Sequence, residues 1–316
     1  MRAVLLNGGR INFDGNLSFG SIMNVVNDLI EYEETEPDQV LDRVGSCDIL
    51  ITKEILLTKG TINSLPKTVT LICEAGTGVD NINLEAAEAR SISVCNVPNY
   101  STTHVGQLTL NFILLLSSGM YGLAQGKGEL GNWKQTRISE VNGKSLGVIG
   151  AGAIGMEVIR LARAFEMNIH VYSRSTRHWE DQNIRQASLG EVLSSSDFLS
   201  LHCPLNKVTR HLIRSETISM MKRGSYIINT ARGGLIDHDD LARAIQSGHI
   251  AGAALDVQEP EPLPSSSILR AMGNVVLTNH IGWKAIEARQ RLITTVAKNI
   301  QEYGRTGIPM NRVISS

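Results

Sequence analysis

Residues 144–175 read KSLGVIGAGAIGMEVIRLARAFEMNIHVYSRS. The segment opens with a short apolar run, Leu146 to Ile149, and a glycine-rich turn follows it. From Ile154 to Phe165, apolar residues recur at the spacing of one face of an α-helix. Ile169 and Val171 then alternate with polar residues, as in a β-strand. The segment therefore predicts a strand, a glycine turn, a helix and a second strand within about thirty residues.

The glycine turn has the spacing G-x-G-x-x-G, and each glycine has a physical reason. Gly150 permits a tight turn, Gly152 lets backbone N–H groups approach a pyrophosphate, and Gly155 lets the helix pack close to the sheet. The N-terminus of the helix then faces the phosphates. Glycines also mark ordinary turns, but inside a complete βαβ unit this spacing indicates dinucleotide binding. The predicted contacts are Gly150, Gly152, Ala153, Ile154 and Gly155.

The end of the second strand indicates which dinucleotide is bound. Sites for NAD usually place Asp or Glu about twenty residues after the glycines, where it binds the ribose 2′-hydroxyl. This chain has no acid there and carries Ser173, Arg174 and Ser175 instead. Arg174 can bind a 2′-phosphate through two hydrogen bonds, and the serines can donate others. The sequence therefore favours NADP(H), with NAD(H) as the alternative if Arg174 and Arg177 are only solvated loop charges.

The overall composition is that of an ordinary soluble globular protein. The chain has 316 residues, which suits two domains, and 42% of them are hydrophobic. Its 30 basic and 31 acidic residues nearly cancel, so no overall field attracts nucleic acid or an anionic membrane. The low aromatic content also argues against stacking on single-stranded nucleic acid. We expect neither nucleic acid nor membrane as a partner.

The cysteines and the N-terminus indicate a reducing compartment. Cys47, Cys73, Cys95 and Cys203 are far apart and lack metal-ligand spacing, so we interpret them as small buried residues and expect no metal site. The apolar part of the N-terminal MRAVLLNGG is too short for a signal peptide. No apolar run reaches the roughly eighteen residues of a membrane helix. The expected location is the cytoplasm.

Residues 1–100 predict a smaller α/β domain. Helical patterns such as Ile22–Leu29 and Leu84–Arg90 alternate with short strand-like runs. These runs are Ala3–Leu6, Asp48–Thr52, Val69–Cys73 and Ile92–Cys95. Such alternation implies a parallel, doubly wound sheet. The predicted fold class is therefore α/β, with two doubly wound parallel-sheet domains: a Rossmann dinucleotide-binding domain and a smaller flavodoxin-like substrate domain.

Pro98 marks the predicted crossing between the two domains. We predict that the substrate domain spans 1–100 and 285–316, because the last helix and the segment after it return to it. The dinucleotide-binding domain is predicted at 101–284. It includes a polar, glycine-dotted arm at about 117–141, with Trp133, whose length packing against a second subunit would explain.

Loops after the predicted strands supply the polar residues of a ligand site, because ligands bind at the carboxyl ends of strands in such sheets. In the smaller domain, backbone N–H groups of Ala75–Gly78 can bind a small carboxylate, although a plain turn is the simpler interpretation of that loop alone. In the larger domain four segments follow strand ends. They are His202–Pro204, Thr230–Gly234, Asp256–Pro262 and Asn279–Trp283.

Three charged residues in these segments suit the reduction of a 2-oxo acid. Arg232 can bind the carboxylate and the carbonyl together. His280 can give a proton to the growing alkoxide, and a carboxylate such as Glu261 beside it favours the protonated imidazole. Each residue alone is more often a solvated or structural one. Because all three follow strand ends of one nucleotide-binding sheet, we predict Arg232, Glu261 and His280 as the catalytic residues.

The order of motifs resembles the D-isomer-specific 2-hydroxyacid dehydrogenase family over nearly the whole chain. The motifs are GTGVDNIN, NVPNYSTTHVGQ, LGVIGAGAIG, LHCPLN, NTARGGLID, ALDVQEPEPLP and TNHIGW. The chain departs from the family's usual residues at three positions: Gln107 stands for Glu, Gln258 for Phe and Asn279 for Pro. None of these changes removes the proton donor, but they bear on the shape of the site.

The resemblance implies the same three catalytic residues, with the substrate carboxylate held by backbone around Thr77 and Gly78. It places Asp256 and Cys203 beside the nicotinamide and Thr230 to Arg232 along the cofactor, and it implies a homodimer. With the strand-end positions, it assigns His202, Cys203, Pro204, Thr230, Ala231, Asp256 and Gly282 to the cofactor. The substrate is assigned to Ala75, Gly76, Thr77, Gly78, Arg232, His280 and Trp283.

The resemblance is strongest to glycerate dehydrogenases, so the favoured substrates are hydroxypyruvate and the smaller glyoxylate. Bulkier 2-oxo acids and D-3-phosphoglycerate stay open. The last is less favoured because no regulatory extension follows residue 316 and basic residues do not crowd the carboxylate loop. A formate dehydrogenase is disfavoured, since that relative has Gln where Glu261 stands. A different class, an NAD(H)-sensing corepressor that binds peptides, shares the fold and the three charged residues.

Overall fold

The computed structural model describes residues 1–124 and 138–314. The chain forms two compact units, the first made of Met1–Ser101 with Trp283–Ser316 and the second of Thr102–Gly282. The predicted boundaries at 100/101 and 284/285 are therefore both shifted: Ser101, Trp283 and Lys284 belong to the first unit. The reason is that the buried Trp283 side chain packs in the core of the first unit, in the same cluster as Tyr100 and Ala288.

The first unit contains a six-stranded sheet in the order β13-β5-β4-β3-β1-β2. Its strands are β1 (Arg2–Leu5), β2 (Asp28–Glu31), β3 (Ile49–Thr52), β4 (Leu71–Glu74), β5 (Ser93–Cys95) and β13 (Arg312–Val313). Neighbouring strands are parallel except β13, which is antiparallel to β5. Every residue of β3 and β4 is buried, which explains why both strands are apolar up to their last residues, Thr52 and Glu74.

The helices of the first unit are α1 (Gly8–Ile11), α2 (Gly20–Met23), α3 (Val40–Val44), α4 (Lys59–Ser64), α5 (Leu84–Ala89) and α12 (Ile286–Thr306). The predicted helix Ile22–Leu29 is wrong, because α2 ends at Met23 and Leu29 lies in β2. Val25 and Val26 pack partly buried against the core from the connecting turn, so their spacing imitates a helical face. Parallel pairing with β1 then holds the following residues extended.

The second unit contains a seven-stranded parallel sheet in the order β12-β11-β10-β9-β6-β7-β8. Its strands are β6 (Ser145–Ile149), β7 (Asn168–Tyr172), β8 (Ile184–Gln186), β9 (Phe198–Leu201), β10 (Ser225–Asn229), β11 (Ile250–Leu255) and β12 (Val275–Leu277). The strand order reverses between β6 and β9, and ligands bind beside the carboxyl ends at such a switch point. The predicted α/β class with two doubly wound sheets is confirmed.

The helices of the second unit are α6 (Thr102–Ser117), α7 (Met120–Ala124), α8 (Ala153–Ala164), α9 (Leu189–Ser195), α10 (Ser215–Ser219) and α11 (His238–Gln246). Among the described helices of both units, none is long and apolar enough to cross a membrane. Residues 125–137, which include Trp133 and most of the predicted arm at 117–141, lie outside the described residues.

A buried arginine joins the last helix to the N-terminal segment of the first unit. Arg289 is 2% exposed. Its guanidinium donates to both carboxylate oxygens of Asp14 and to the backbone carbonyls of Ile11 and Lys284. The bonds from Arg289 hold the pKa of Asp14 well below its usual range. Because a buried guanidinium must have its donors paired, this contact specifies how α12 packs.

Replacing Arg289 with methionine should therefore destabilise the first unit. Methionine fills much of the space, but it leaves the Ile11 and Lys284 carbonyls without their donor and Asp14 without its partner. We expect the melting temperature to fall by about 5 °C or more. Arg305→Met is the matched control, because Arg305 lies on the same helix in an exposed pair with Glu302. Equal losses in the two variants would contradict the role of Arg289.

Candidate active site

The glycine turn lies between β6 and α8, and its close packing requires residues without side chains. Gly150 has φ +101°, and a Cβ atom there would lie 2.7 Å from the carbonyl carbon of His202. A Cβ at Gly155 would lie 2.0 Å from the carbonyl oxygen of Gly150. Both distances are too short for real Cβ atoms. A side chain at Gly150 would collide with the backbone that follows β9, and one at Gly155 would push α8 away from the carboxyl end of β6.

The middle glycine has the opposite surroundings. A Cβ at Gly152 would meet no atom within 4 Å, so the space in front of the turn is open. Gly152 is the N-cap of α8 and has no side chain to cap it. Within the described residues, the N–H groups of Ala153 and Ile154 also have no hydrogen-bond partner. An open space with unpaired N–H groups at a helix N-terminus fits a bound pyrophosphate.

The loop after β7 carries the residues predicted to choose between dinucleotides. The side-chain amide of Gln186 donates to the carbonyls of Ser173 and Ser175 at 3.1 and 3.0 Å and so holds this loop in shape. Arg174 between them is exposed and, in the described part of the chain, has no hydrogen bond or ion pair. The guanidinium is therefore available to an anion. Sequence reasoning missed Gln186, because β8 is too short to be recognised from its pattern.

His202 and Cys203 follow β9 beside the glycine turn, and both are held uncharged. His202 bonds Ser200 Oγ through Nε2 at 2.8 Å, while its buried Nδ1 has no partner within the described residues. Burial lowers the pKa of His202 to about 3 and raises the pKa of the Cys203 thiol. The predicted cofactor contact Pro204 follows on the exposed side. A neutral imidazole and a neutral thiol add no charge next to the glycine turn.

A buried asparagine shapes the loop that carries Arg232. Asn229, the last residue of β10, accepts from the N–H of Ala231 and donates from its side chain to the carbonyl of Arg232. Thr230 is buried, and its hydroxyl lies 3.1 Å from that of Thr109 on α6. The Arg232 guanidinium donates to the carbonyl of Ala231. Asn229 was missed because an asparagine that ends a strand is usually interpreted as a turn residue.

Asp256 holds the loop that carries His280. The Asp256 carboxylate is buried and accepts hydrogen bonds from the Thr278 hydroxyl at 2.7 Å and from the N–H groups of Ile281 and Gly282 at 2.7 and 2.9 Å. Its backbone carbonyl accepts from the N–H of His280 at 2.8 Å. His280 itself has φ +50°, which is uncommon for a residue with a side chain. Four bonds to one residue thus fix an otherwise unfavourable backbone.

Glu261 and His280 are in direct contact. Glu261 Oε2 lies 3.1 Å from His280 Nδ1, and both side chains are about one-third exposed (37% and 35%). Glu261 Oε1 accepts from the N–H of Gln258 at 2.9 Å. A Cβ at Gly233, next to Arg232, would lie 2.0 Å from the carbonyl carbon of Gln258. The structure therefore brings the segments of all three predicted catalytic residues together.

The predicted carboxylate loop lies at the end of β4 in the first unit. The Thr77 hydroxyl donates to the carbonyl of Val97, and Asn96 donates to the carbonyl of Thr77, so the loop is tied to the segment after β5. Within the described residues, the N–H groups of Gly76, Thr77 and Gly78 have no hydrogen-bond partner. Three unpaired N–H groups in one short loop fit a carboxylate better than a plain turn does.

The buried acid Glu74 ends β4 directly before this loop. Glu74 is 2% exposed and accepts from the Thr52 hydroxyl, the Asn81 amide and the N–H of Glu54. Burial raises the pKa of Glu74, while the nearby Lys53 ammonium opposes that rise. A buried acid with three donors holds β3, β4 and Asn81 in one arrangement.

Lys53 is a further charged residue that the sequence did not single out. It follows β3 and is 2% exposed. Its ammonium group lies 2.6 Å from Glu54 and 3.8 Å from the ring centroid of Trp283, the aromatic residue predicted to contact substrate. The cation thus holds the indole by a cation–π contact. A lysine after an apolar strand usually indicates a solvated loop, so nothing in the sequence pointed to this pair.

Replacing Asp256 with alanine should release the loop of His280. The N–H groups of Ile281 and Gly282 lose their acceptor, so we expect amide hydrogen exchange at these two residues to become at least about tenfold faster. Asp197→Ala is the matched control, because Asp197 accepts from the N–H of Ser145 at the other end of the same sheet. It should speed exchange at Ser145 and leave 281–282 unchanged. Unaltered exchange at 281–282 in the Asp256 variant would refute the assignment.

Comparisons with known proteins show the family to which the chain belongs. Residues 113–282 match the family described as D-isomer specific 2-hydroxyacid dehydrogenase, NAD binding domain. The hydroxypyruvate reductase of Thermotoga maritima is 36% identical over 280 residues, covering 86% of this chain and 90% of that protein. The glyoxylate reductase of Thermococcus litoralis is 34% identical, covering 87% of this chain and 86% of that protein.

Solved structures give the same result for the fold. The chain is similar to an acyclic imino acid reductase solved with NADPH and D-arginine, with a TM-score of 0.87 and 26% identity over 99% of this chain and 100% of the other. The resemblance inferred from the motifs is therefore confirmed. The chain belongs to the D-isomer specific 2-hydroxyacid dehydrogenase family, and it is an oxidoreductase that uses a nicotinamide dinucleotide.

Proposed function

We propose that this enzyme reduces the keto carbon of hydroxypyruvate to give the D-2-hydroxy acid D-glycerate, with NADPH as the favoured cofactor. Glyoxylate is the proposed smaller substrate, and reduction of its aldehyde carbon gives the achiral glycolate. The observation that carries the proposal is the contact between Glu261 and His280 at the carboxyl edge of the nucleotide-binding sheet. It supplies a proton donor with a charge partner where the family binds its cofactor. The names of the two relatives support the choice of substrate.

The proposed chemistry uses the side chains of His280, Glu261 and Arg232. When bound, the nicotinamide supplies the hydride that adds to the keto carbon. His280 is bonded to Glu261 through Nδ1, so Nε2 is the nitrogen that gives the proton to the developing alkoxide. The Glu261 carboxylate pairs with Nδ1 and so fixes the orientation of the ring. Arg232 binds the substrate carboxylate and polarises the carbonyl with its planar, permanently charged group.

Further residues are assigned to binding. In the first unit, the N–H groups of Gly76, Thr77 and Gly78 are the proposed donors to the substrate carboxylate, with Ala75 and Trp283 beside them. In the second unit, the residues in the order of the chain are Gly150, Gly152, Ala153, Ile154, Gly155, Ser173, Arg174, Ser175, His202, Cys203, Pro204, Thr230, Ala231, Asp256 and Gly282. We also propose a homodimer, as the family resemblance implies, and a location in the cytoplasm.

Kinetics of two variants test the chemistry. We expect His280→Gln to lower kcat/KM for hydroxypyruvate about 10²- to 10⁴-fold, because the proton donor is lost. We expect Arg232→Lys to lower kcat/KM about 10²-fold, because an ammonium group cannot form the two-pronged contact. His249→Gln is the control, since His249 precedes β11 at the opposite edge of the same sheet.

A panel of 2-oxo acids, including bulkier and phosphorylated ones, assayed with wild type identifies the substrate. Peptide binding without turnover of any 2-oxo acid would instead favour a corepressor.

The preference for NADP rests on Arg174, which is exposed and unpaired within the described residues. We expect Arg174→Ala to raise KM for NADPH about tenfold, the loss of one charge-assisted contact, and to change KM for NADH by less than about twofold. Arg185→Ala is the control, because Arg185 lies one strand away in an exposed pair with Glu191. If the wild-type enzyme prefers NADH, the NADP assignment is wrong, but the proposed reaction is not contradicted.

A further inference from the structure

Gln258 lies three residues after the end of β11, at a position where the family often has Phe, and it is 7% exposed. Its side-chain amide donates to the carbonyl of Leu255 at 2.9 Å and to the carbonyl of Thr278 at 3.0 Å. Leu255 ends β11, and Thr278 comes directly after β12. The amide therefore links the two strands where they lead into the segments of Glu261 and His280.

The backbone of Gln258 contacts the other two catalytic segments. Its N–H donates to Oε1 of Glu261, whose Oε2 pairs with His280. Its carbonyl carbon lies so close to Gly233 that no side chain could fit there, which places the loop of Arg232 against it. One residue thus touches the segments that carry Arg232, Glu261 and His280.

We propose that Gln258 is a positioning residue of the reaction, which sets the approach of Glu261 to His280 through the two hydrogen bonds of its side-chain amide. This inference rests on the proposed function of these three residues. The hydrogen bond to Leu255 is buried and the one to Thr278 is partly buried. Without the amide, both carbonyls therefore lose a donor, and at Leu255 solvent cannot fully replace it. Thr278 is two residues from His280, and a small shift there moves the imidazole relative to Glu261 and to the substrate.

The test compares Gln258→Met with Asn274→Leu. Methionine has nearly the size and reach of glutamine but no donor. Asn274 is the matched control because its amide also joins β11 to β12, donating to the carbonyl of Ala251 at 2.7 Å at the amino ends of the strands. The measurements are kcat and KM for hydroxypyruvate, Kd for NADPH, and the ring ¹⁵N signals of His280, assigned by their loss in His280→Gln.

For Gln258→Met we expect kcat to fall about tenfold or more, KM and Kd to stay within about twofold, and the His280 ring signals to move. Asn274→Leu should leave all four quantities at their wild-type values. If Gln258→Met does not fold, Gln258→Phe replaces it, because the family's own residue suits the volume and also lacks the donor. Unchanged kcat with unmoved signals, or equal effects in the Asn274 variant, would overturn the proposal.

Failure of the proposed function has a different signature. Wild type would then oxidise NADPH with no 2-oxo acid of the panel. The ring signals of His280 would still report whether the Gln258 amide positions this residue, because they are measured without substrate.

Discussion

The candidate site of the second unit depends on the hydrogen bonds to the buried carboxylate of Asp256. A buried anion is tolerated only when it is surrounded by donors, and here the donors are the Thr278 hydroxyl and the N–H groups of Ile281 and Gly282. The anion in turn holds these donors in place, because each of them is hydrogen-bonded to it. His280 lies between them and keeps its left-handed backbone for that reason.

The first unit also has a buried, hydrogen-bonded acid at the edge of its sheet. Glu74 is buried at the end of β4 and collects donors from Thr52, Glu54 and Asn81. The loop that follows it leaves the N–H groups of Gly76 to Gly78 unpaired within the described residues. In each unit, a buried acid thus collects hydrogen bonds beside a loop of the candidate site.

Around the glycine turn the constraint is steric and not electrostatic. Gly150 and Gly155 let backbone atoms meet at distances that exclude a side chain, and the open space at Gly152 lies in front of them. His202 and Cys203 close the turn from the side and are kept neutral by burial. The groups proposed to attract the phosphates are therefore backbone N–H groups and the dipole of α8, with Arg174 near the start of the loop after β7.

Much of this arrangement was predictable from sequence, because glycine spacing, apolar runs and polar strand ends follow from local geometry. The fold class and the family were predicted correctly from these signals. The assignment of the site residues stays a prediction, although the structure joins Glu261 to His280. The helix predicted at Ile22–Leu29 was wrong because Val25 and Val26 pack on the core from a turn, and spacing alone does not distinguish a turn from a helix.

The sequence by itself determined which residues carry charge and where the chain must turn, since these are properties of single residues and their neighbours. Only the tertiary structure showed which segments of the candidate site Gln258, Gln186 and Lys53 contact. Their partners come from other strands and loops, from Thr278 for Gln258 and Trp283 for Lys53, and such long-range contacts leave no periodic pattern in the chain. For the same reason the buried environments of Asp256 and Glu74 exist only once the sheets have formed.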